Sequence, residues 1–353
     1  MTEQSKTRVL VTGATGFLGG SILKALATNP LIECIAACRD PSRLANHFSG
    51  EIRAGDLLDT RYRRELVQDV DVICHAGTWA SMWAHEKLER ERFFEPTLDL
   101  IEQAIASGVK RFVMASTVAI GTVRKDGQPH DDFSPKEHTG FWPHLDYLMD
   151  IDDFMRAQSN RGTQMVTLRL GHFVGAGNRL GLLPAIVPRL KTFLVPWLSG
   201  GKKRLPLVAN KDLGRAFELA ALTDNLEDYE AFNICGCTFP TLREVVTYIA
   251  QQAGVPKPLY SVPYPAGYAF GWLMETLHPI LPGSSPFLTR SIVRLCEDWL
   301  CPNDYATRKL GYAPQTDWKK AVDEHLADLR NEGFPWPALS QPQDPPYAQR
   351  GER

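Results

Sequence analysis

Three glycines close to the amino terminus form a regularly spaced motif. Gly13, Gly16 and Gly19 lie three apart in the run Thr-Gly-Ala-Thr-Gly-Phe-Leu-Gly, directly after the β-branched segment 8–12. In a strand–turn–helix unit, such glycines permit a tight turn, let the backbone approach a pyrophosphate and let the helix pack closely on the strand. The amino terminus of that helix adds free N–H groups and a positive dipole end. This turn therefore predicts a dinucleotide-binding site formed by Gly13, Thr15, Gly16, Phe17, Leu18 and Gly19.

The residue that ends the second strand of such a unit discriminates between the two nicotinamide dinucleotides. A carboxylate there accepts hydrogen bonds from the adenosine ribose and repels a 2′-phosphate, whereas an arginine binds that phosphate. Here the predicted strand 32–38 is followed by Arg39, with Arg43 one turn further on. The pair predicts NADP(H) as the cofactor. NAD(H) is the alternative, because Asp40 would be the ribose acceptor if the strand ended one residue later.

A parallel sheet must position these residues, because short apolar strands and helices alternate along the first half of the chain. The predicted strands are 8–12, 32–38, 51–54, 70–75, 111–115 and 165–170, and the predicted helices are 21–27, 98–107 and 146–158. Alternation at this spacing predicts an α/β fold with right-handed crossovers. In 353 residues we expect a nucleotide-binding domain over 7–175, a mostly substrate-binding region over 176–330 with segments interleaved with the sheet, and a proline-rich tail over 331–353.

Composition and charge exclude several functional classes. Lys and Arg total 39 against 41 Asp and Glu, a net charge of -2, so no overall field would recruit nucleic acid or an anionic membrane. The seven cysteines are scattered, and Cys235 and Cys237 are too close for a usual zinc pair, so we predict no metal site and a reduced, cytoplasmic protein. No apolar run is long enough to predict a stable membrane insertion. The aromatic, apolar segment 265–281 is expected to form a core or pocket helix, with membrane contact as the alternative.

Several motifs occur in the order found in one enzyme family. They are the glycine-rich run, Gly-Asp-Leu-Leu-Asp at 55–59, His-Ala-Gly at 75–77, Arg-Phe-Val-Met-Ala-Ser-Thr at 111–117, Leu-Arg-Leu-Gly at 168–171, Asn-Lys-Asp at 210–212, Ala-Phe-Asn-Ile at 231–234 and Lys-Leu-Gly-Tyr at 309–312. Over residues 7–330 the chain resembles an extended short-chain dehydrogenase/reductase of the NAD-dependent epimerase/dehydratase superfamily. Within it the chain is most similar to the branch of dihydroflavonol reductases and 3β-hydroxysteroid dehydrogenases.

The resemblance implies a Rossmann fold, which is a doubly wound parallel sheet with a smaller C-terminal substrate-binding region. It also assigns further contacts to the cofactor. Asp56 and Leu57 match the positions that hold the adenine. The residues that match positions on the path to the nicotinamide, or beside it, are Ala76, Gly77, Thr78, Leu170, His172 and Phe173. By analogy with the fold, a homodimer is possible.

The family's catalytic set is only partly present. In that set a tyrosine phenol gives a proton to the carbonyl oxygen, a Ser or Thr hydroxyl holds that oxygen, and a lysine four residues after the tyrosine lowers its pKa. The resemblance assigns Tyr147 as the acid, with Thr117 and Ser116 as the hydroxyls. Ile151 stands where the lysine is expected, and Phe93 replaces an asparagine of the same relay. A phenol with its ordinary pKa of about 10 donates a proton but is a poor base, so the set favours reduction over oxidation.

Two histidines are alternative acids. His144 precedes Tyr147 by one helical turn, and His172 follows the sixth predicted strand. A histidine can exchange a proton near neutral pH. An ordinary polar role near a pocket is the other interpretation of each residue.

Aromatic residues mark the predicted substrate pocket. Trp79 and Trp83 lie in one loop and Trp142 in another, and large flat side chains in a cleft favour an apolar or aromatic small-molecule substrate. The alternative is that these tryptophans fill an interdomain core. The leading hypothesis is NADP(H)-dependent reduction of a hydrophobic carbonyl compound. The other hypotheses are a dinucleotide-binding sensor without turnover and an epimerase or dehydratase.

Overall fold

A parallel sheet of seven strands forms the centre of the protein. The computed structural model describes residues 6–45, 48–280 and 286–334. The strands are β1 (Thr7–Thr12), β2 (Ile32–Cys38), β3 (Glu51–Ala54), β4 (Val72–His75), β5 (Arg111–Thr117), β6 (Gln164–Leu170), β7 (His172–Val174), β8 (Trp197–Leu198), β9 (Leu207–Ala209), β10 (Tyr229–Ile234) and β11 (Ser261–Val262). The central sheet has the order β10-β6-β5-β4-β1-β2-β3, and all its pairs are parallel. The predicted doubly wound α/β fold is confirmed.

Helices alternate with these strands along the chain. They are α1 (Phe17–Leu26), α2 (Thr60–Leu66), α3 (Glu86–Glu89), α4 (Glu95–Ala106), α5 (Pro143–Gln158), α6 (Leu182–Leu190), α7 (Asn210–Leu222), α8 (Leu242–Ala253), α9 (Tyr264–Leu277), α10 (Arg290–Leu295), α11 (Asp304–Leu310) and α12 (Trp318–Asn331). One turn of π-helix, Arg90–Phe94, joins α3 to α4. Such turns are rare and occur often at functional sites.

Both faces of the central sheet are buried, because its strands carry apolar side chains on both sides. Val9 packs on one face with Ile22 of α1 and Phe217 of α7. Leu10, the next residue of β1, packs on the opposite face with Leu100 of α4. Near-continuous apolar strands of this kind are typical of parallel sheets covered by helices on both sides.

Two features of the sheet differ from the sequence expectation. β5 continues to Thr117, two residues beyond its predicted end, which brings both predicted hydroxyls onto the strand. The strand β10 was not predicted. It pairs with β6 at the edge of the sheet, although it lies far along the chain from the six predicted strands. The nucleotide-binding layer therefore includes residues far beyond 175, and the domain boundary at 175 stays a prediction.

A second core lies under the C-terminal region. Apolar residues of α6, α8 and α12 pack there with the short strand pair β7–β9, and the fully buried members include Leu183, Val245, Ile249, Val322 and Leu329. A second short pair is formed by β8 and β11. The predicted substrate-binding region over 176–330 contains most of this core, and its function stays a prediction.

Helix α9 lies at the surface, so the core-helix part of the prediction for segment 265–281 is wrong, and the pocket part stays a prediction. Only Gly267 and Gly271 of this helix are buried. A Cβ atom at Gly267 would lie 2.5 Å from Leu198, so the helix packs through its glycine face and leaves Phe270 and Trp272 exposed. Within the described ranges, no helix is long and apolar enough to cross a membrane. Residue 281 and the tail 335–353 lie outside the described residues.

Candidate active site

The three glycines bring the start of α1 against the ends of β1 and β4. Gly13 has a φ of +64°, and a Cβ atom there would lie 2.7 Å from the carbonyl oxygen of Ala76. A Cβ atom at Gly19 would lie 2.2 Å from the carbonyl oxygen of Gly13, so α1 packs directly on the turn. At Gly16 a Cβ atom would meet only the Gly13 oxygen, at 3.2 Å, among the described residues. The turn therefore leaves room for a ligand in front of the amino terminus of α1.

A buried hydrogen-bond chain fixes the end of β4 beside this turn. The Thr12 hydroxyl accepts from the Gly77 N–H at 3.1 Å and lies 2.8 Å from His75 Nδ1. Its own proton is available to Nδ1, and His75 Nε2 lies 3.3 Å from Thr97 Oγ1, so a ring protonated at Nε2 would satisfy both contacts. Burial lowers the pKa of His75 to about 4, so the ring is neutral, as this chain of donors requires.

Arg39 and Arg43 stand exposed at the end of β2. The strand ends at Cys38, so Arg39 is the first residue after it. Asp40 caps the following turn, because its carboxylate accepts from the Ser42 N–H at 3.1 Å and from the Ser42 hydroxyl at 2.6 Å. Among the described residues, neither arginine forms an ion pair. Two guanidinium groups are therefore available at this corner.

The other predicted cofactor contacts lie along the same carboxyl edge of the sheet. The Leu57 side chain packs close to Gly77, where a Cβ atom would lie 2.9 Å from it. The rings of Phe17 and Phe173 are 5.7 Å apart, which joins the glycine turn to β7. Leu170 is opposite Thr117 in the register of β5 and β6. Of the remaining residues, Leu18 is buried, Thr15, Asp56 and Ala76 are half-buried, and Thr78 is exposed.

The two hydroxyls predicted to hold a substrate oxygen occupy the last two positions of β5. Thr117 Oγ1 accepts from the Ala119 N–H at 3.3 Å, so its own proton remains free to be donated. Ser116 Oγ is buried and has no hydrogen-bond partner among the described residues. A buried hydroxyl left unpaired costs free energy. An unpaired group at the ligand-binding edge of such a sheet is suited to a polar atom of a bound molecule.

Tyr147 and Ile151 are one helical turn apart, but their side chains have different surroundings. The Tyr147 ring stacks on Phe94, with centroids 4.6 Å apart and planes inclined by 20°. Burial raises the pKa of the phenol, and the carboxylate of Glu86 acts in the same direction. Ile151 is 0% exposed and packs in the core under α5. A lysine at this position would point into the interior, because that is where the helix directs residue 151.

Glu89, which sequence reasoning missed, forms a buried pair with His144. Glu89 Oε2 lies 3.1 Å from His144 Nδ1, and Glu89 Oε1 accepts from the Ser81 N–H at 2.5 Å. The buried Phe93 ring lies against the imidazole, with centroids 5.0 Å apart. Glu89 belongs to the charged stretch 86–91, in which its exposed neighbours look the same in sequence. No sequence signal therefore distinguishes it.

The three tryptophans predicted to line the pocket differ in burial. Trp142 is buried, and its Nε1 donates to the Ser81 carbonyl at 2.8 Å, so the two predicted pocket loops do meet. Trp83 is half-buried, with its ring edge against His85 at 5.1 Å between centroids. Trp79 contacts the same histidine at 6.0 Å. The loop after β4 thus presents an aromatic surface beside the start of α5.

His172, one of the alternative acids, is held as a neutral ring. Its Nε2 donates to the Leu295 carbonyl at 3.2 Å. Burial lowers its pKa to about 4, so the imidazolium is scarce near neutral pH. Its proton is engaged by the backbone and is not offered to a substrate.

Comparison with known proteins identifies relatives over nearly the whole chain. The model of the NAD dependent epimerase/dehydratase family matches residues 9–235. The 2-alkyl-3-oxoalkanoate reductase of Stenotrophomonas maltophilia is 25% identical over 333 residues, which cover 92% of this chain and 98% of the relative. A ketoreductase of Stigmatella aurantiaca, named for a 4-hydroxy-2-methyl-3-oxo-4-farnesyl-3,4-dihydroquinoline-1-oxide, is 21% identical over 322 residues, which cover 90% of this chain and 95% of the relative.

Solved structures share the fold. The UDP-glucose 4-epimerase of Thermotoga maritima with UDP-glucose has a TM-score of 0.72 at 17% identity, and covers 92% of this chain and 99% of that chain. The UDP-glucose 4-epimerase of Thermus thermophilus with NAD has a TM-score of 0.67 at 19% identity, with the same coverage of 92% and 99%. At these identities the likeness concerns the fold alone.

Proposed function

Because this chain belongs to the NAD-dependent epimerase/dehydratase family, we propose that it is an NADP(H)-dependent reductase that converts a hydrophobic carbonyl compound into the alcohol. Relatives named as reductases support this reaction class. The observation that carries the direction is the lack of a lysine in α5, where Leu148 and Ile151 are both buried. No ammonium there lowers the pKa of a phenol, so the site is suited to donating a proton and not to removing one.

The carboxyl edge of the central sheet fits a nicotinamide dinucleotide. The open space at Gly16 would take the pyrophosphate at the amino terminus of α1, and the unpaired Ser116 Oγ would gain a polar partner. When bound, the cofactor supplies the hydride for the carbonyl carbon. The Thr117 hydroxyl holds the carbonyl oxygen by donating a hydrogen bond. A protonated group of α5, either Tyr147 or His144, gives that oxygen its proton.

Preference for NADP(H) over NAD(H) rests on Arg39 and Arg43. Both are exposed at the end of β2, and neither forms an ion pair within the described part of the chain. Each charge-assisted hydrogen bond to a 2′-phosphate contributes about 1.5–3 kcal/mol. Asp40 is engaged in capping the next turn, so its carboxylate is oriented toward Ser42.

Calorimetry with the two reduced cofactors tests this preference. We expect NADPH to bind more tightly than NADH, and Arg39→Asp to narrow or reverse the difference by about 1.5–3 kcal/mol. Arg64→Asp makes the same charge change at an exposed position of α2 and should leave the ratio of affinities unchanged. Equal affinity of the unaltered protein for both cofactors would overturn the assignment of NADP(H).

The aromatic loop after β4 and the buried Trp142 support an apolar substrate. A first panel of carbonyl compounds starts with 2-alkyl-3-oxoalkanoates, the substrate class in the name of one relative. We expect loss of the reduced-nicotinamide absorbance with apolar members of the panel and little reverse oxidation at neutral pH. Tight NADPH binding without turnover of any member would contradict the reductase proposal.

A further inference from the structure

The pair formed by Glu89 and His144 has the geometry of a held proton donor. Glu89 is 0% exposed and His144 is 13% exposed in their side chains. An ionised carboxylate only accepts hydrogen bonds, and this one uses Oε2 for His144 Nδ1 and Oε1 for the Ser81 N–H. With an ionised carboxylate, the contact predicts a proton on His144 Nδ1. Among the described residues Nε2 has no hydrogen-bond partner, so it is free for a substrate.

His144 lies on the face of α5 that is turned to the sheet. Residues 144, 148 and 152 are four apart and share one side of the helix. Leu148 and Asp152 are buried, and Asp152 Oδ2 accepts from Arg169 at 3.3 Å. Arg169 is opposite Ser116 in the register of β5 and β6. Because crossover helices run antiparallel to the strands, the first turn of α5 lies at the carboxyl edge where β5 ends.

The same imidazole is tied to the nucleotide-binding side of this edge. Ser81, whose N–H binds Glu89, lies in the loop that begins at Gly77 beside the glycine turn. Trp142, two residues before His144, donates to the Ser81 carbonyl at 2.8 Å. The family places its tyrosine and its lysine four residues apart on one face of this helix. On the face of α5 that is turned to the sheet, two residues with this spacing are His144 and Leu148.

Tyr147 lies one turn after His144 in the same helix, but its side chain has different surroundings. Its ring stacks on Phe94, and its charged neighbours include the exposed residues Glu86 and Arg90. Burial and the Glu86 carboxylate both raise the pKa of this phenol, so the proton is held more firmly than in a free tyrosine. These surroundings raise the pKa of the phenol, whereas a neighbouring lysine would lower it.

We propose that His144 is the proton donor to the carbonyl oxygen and that Glu89 is its positioning residue, an inference that rests on the proposed function. When bound, a dihydronicotinamide would supply the hydride to the carbonyl carbon and would itself be oxidised, while the Nε2 proton of the His144 imidazolium would go to the oxygen. The C=O double bond becomes a single bond, with one new C–H and one new O–H bond. His144 is left as a neutral ring protonated at Nδ1, and solvent returns the Nε2 proton.

The position of the ring proton tests the pair without any cofactor. In nitrogen-15 spectra of the full chain, the neutral ring of His144 should carry its proton on Nδ1, the minor tautomer of free histidine. Glu89→Gln should shift the tautomer toward Nε2, because an amide no longer requires a donor at Nδ1. A neutral ring with its proton on Nε2 and none on Nδ1 would overturn the proposal, since Nδ1 would then not donate the hydrogen bond to Glu89 that positions the ring.

Kinetics of three variants test the role in turnover. His144→Asn keeps an N–H near the place of Nδ1 for Glu89 but lacks Nε2, so kcat should fall about 10²–10⁴-fold with the affinity for NADPH unchanged. Added imidazole should restore part of the activity of His144→Ala. Tyr147→Phe keeps the ring that stacks on Phe94 and removes only the phenol proton, so it tests the alternative donor.

The outcomes separate the two proposals. Loss of reduction in Tyr147→Phe, with His144→Asn active, would overturn the assignment of His144 and leave the proposed function standing. An unaltered protein that binds NADPH and reduces no carbonyl would overturn the proposed function, and the role of His144 with it. If His144→Asn fails to fold, the tautomer measurement on the unaltered protein still decides.

Discussion

At the scale of single residues, the nucleotide site depends on volume that is left free. Gly16 has an ordinary φ of -85°, so its backbone does not require glycine. Glycine is needed there because a side chain would fill the space in front of the helix, where the pyrophosphate is proposed to bind. Gly13 and Gly19 differ, because a Cβ atom at either would overlap backbone atoms of the protein itself.

The contrast between Gly16 and Gly20 gives a matched test of this space. Gly16→Val should abolish dinucleotide binding, because the side chain fills the place of the pyrophosphate, while the fold is retained. Gly20→Val makes the same change at an exposed position of α1, where a Cβ atom would meet only the Ala14 oxygen at 3.9 Å. Calorimetry should show binding in the second variant alone. Tight binding by a folded Gly16→Val would show that the nucleotide lies elsewhere.

At the scale of elements, the rotation of α5 about its axis decides which side chains serve the site. Its inner face is fixed by apolar residues and by Asp152, which also accepts from Lys136 at 2.8 Å and from the Tyr229 hydroxyl at 2.6 Å. Together with the hydrogen bond from Arg169 at 3.3 Å, these contacts bind the helix to three separate segments. His144 is thereby held at the sheet edge and Tyr147 against Phe94.

A lysine at position 151 should damage the protein and not complete its catalytic set. Ile151→Lys places an ammonium in the core without a partner, and an uncompensated buried charge costs about 3–5 kcal/mol. Ala157→Lys adds the same side chain to an exposed position of α5 and should change stability by less than about 0.5 kcal/mol. Urea unfolding of both variants measures the difference. Equal stabilities would mean that α5 is rotated differently.

At the scale of the whole molecule, buried titratable groups make stability depend on pH. Burial lowers the pKa of His75 from 6.5 to about 4. Between these values the unfolded state binds more protons than the folded state, so stability falls as the pH falls. Asp132 acts in the opposite sense, because burial raises its pKa from 3.8 to about 6 and the folded state then binds more protons. Burial also lowers the pKa of His172, His130 and His325. We therefore expect the free energy of unfolding to fall as the pH falls.

Two variants should change this pH profile in opposite directions. His75→Gln should flatten the fall in the free energy of unfolding below pH 6.5, by about 1.4 kcal/mol per pH unit for one proton. Asp132→Asn should steepen the fall, since it removes the group that takes up a proton in the folded state. Its amide oxygen can still accept from the Asn233 N–H, now 2.5 Å from the carboxylate. Parallel profiles for all three proteins would contradict these assignments.

Features that depend on neighbours along the chain could be predicted from the amino-acid sequence. The glycine turn occupies eight consecutive residues, and the spacing alone predicts a strand, a turn and a helix amino terminus. Arg39 follows β2 for the same local reason. The alternation of strands and helices predicted the parallel sheet, because apolar strands of this kind must be covered on both faces.

Contacts between side chains that are far apart in the sequence could be found only from the packing of the folded chain. Glu89 and His144 are 55 residues apart, and their contact depends on how two helices rotate against the same sheet. Position 151 faces the core for that reason, although its spacing from Tyr147 matched the family's lysine. The strand β10 joined the sheet, and α9 stayed at the surface on its two glycines, because pairing and close packing of distant segments outweigh local apolarity.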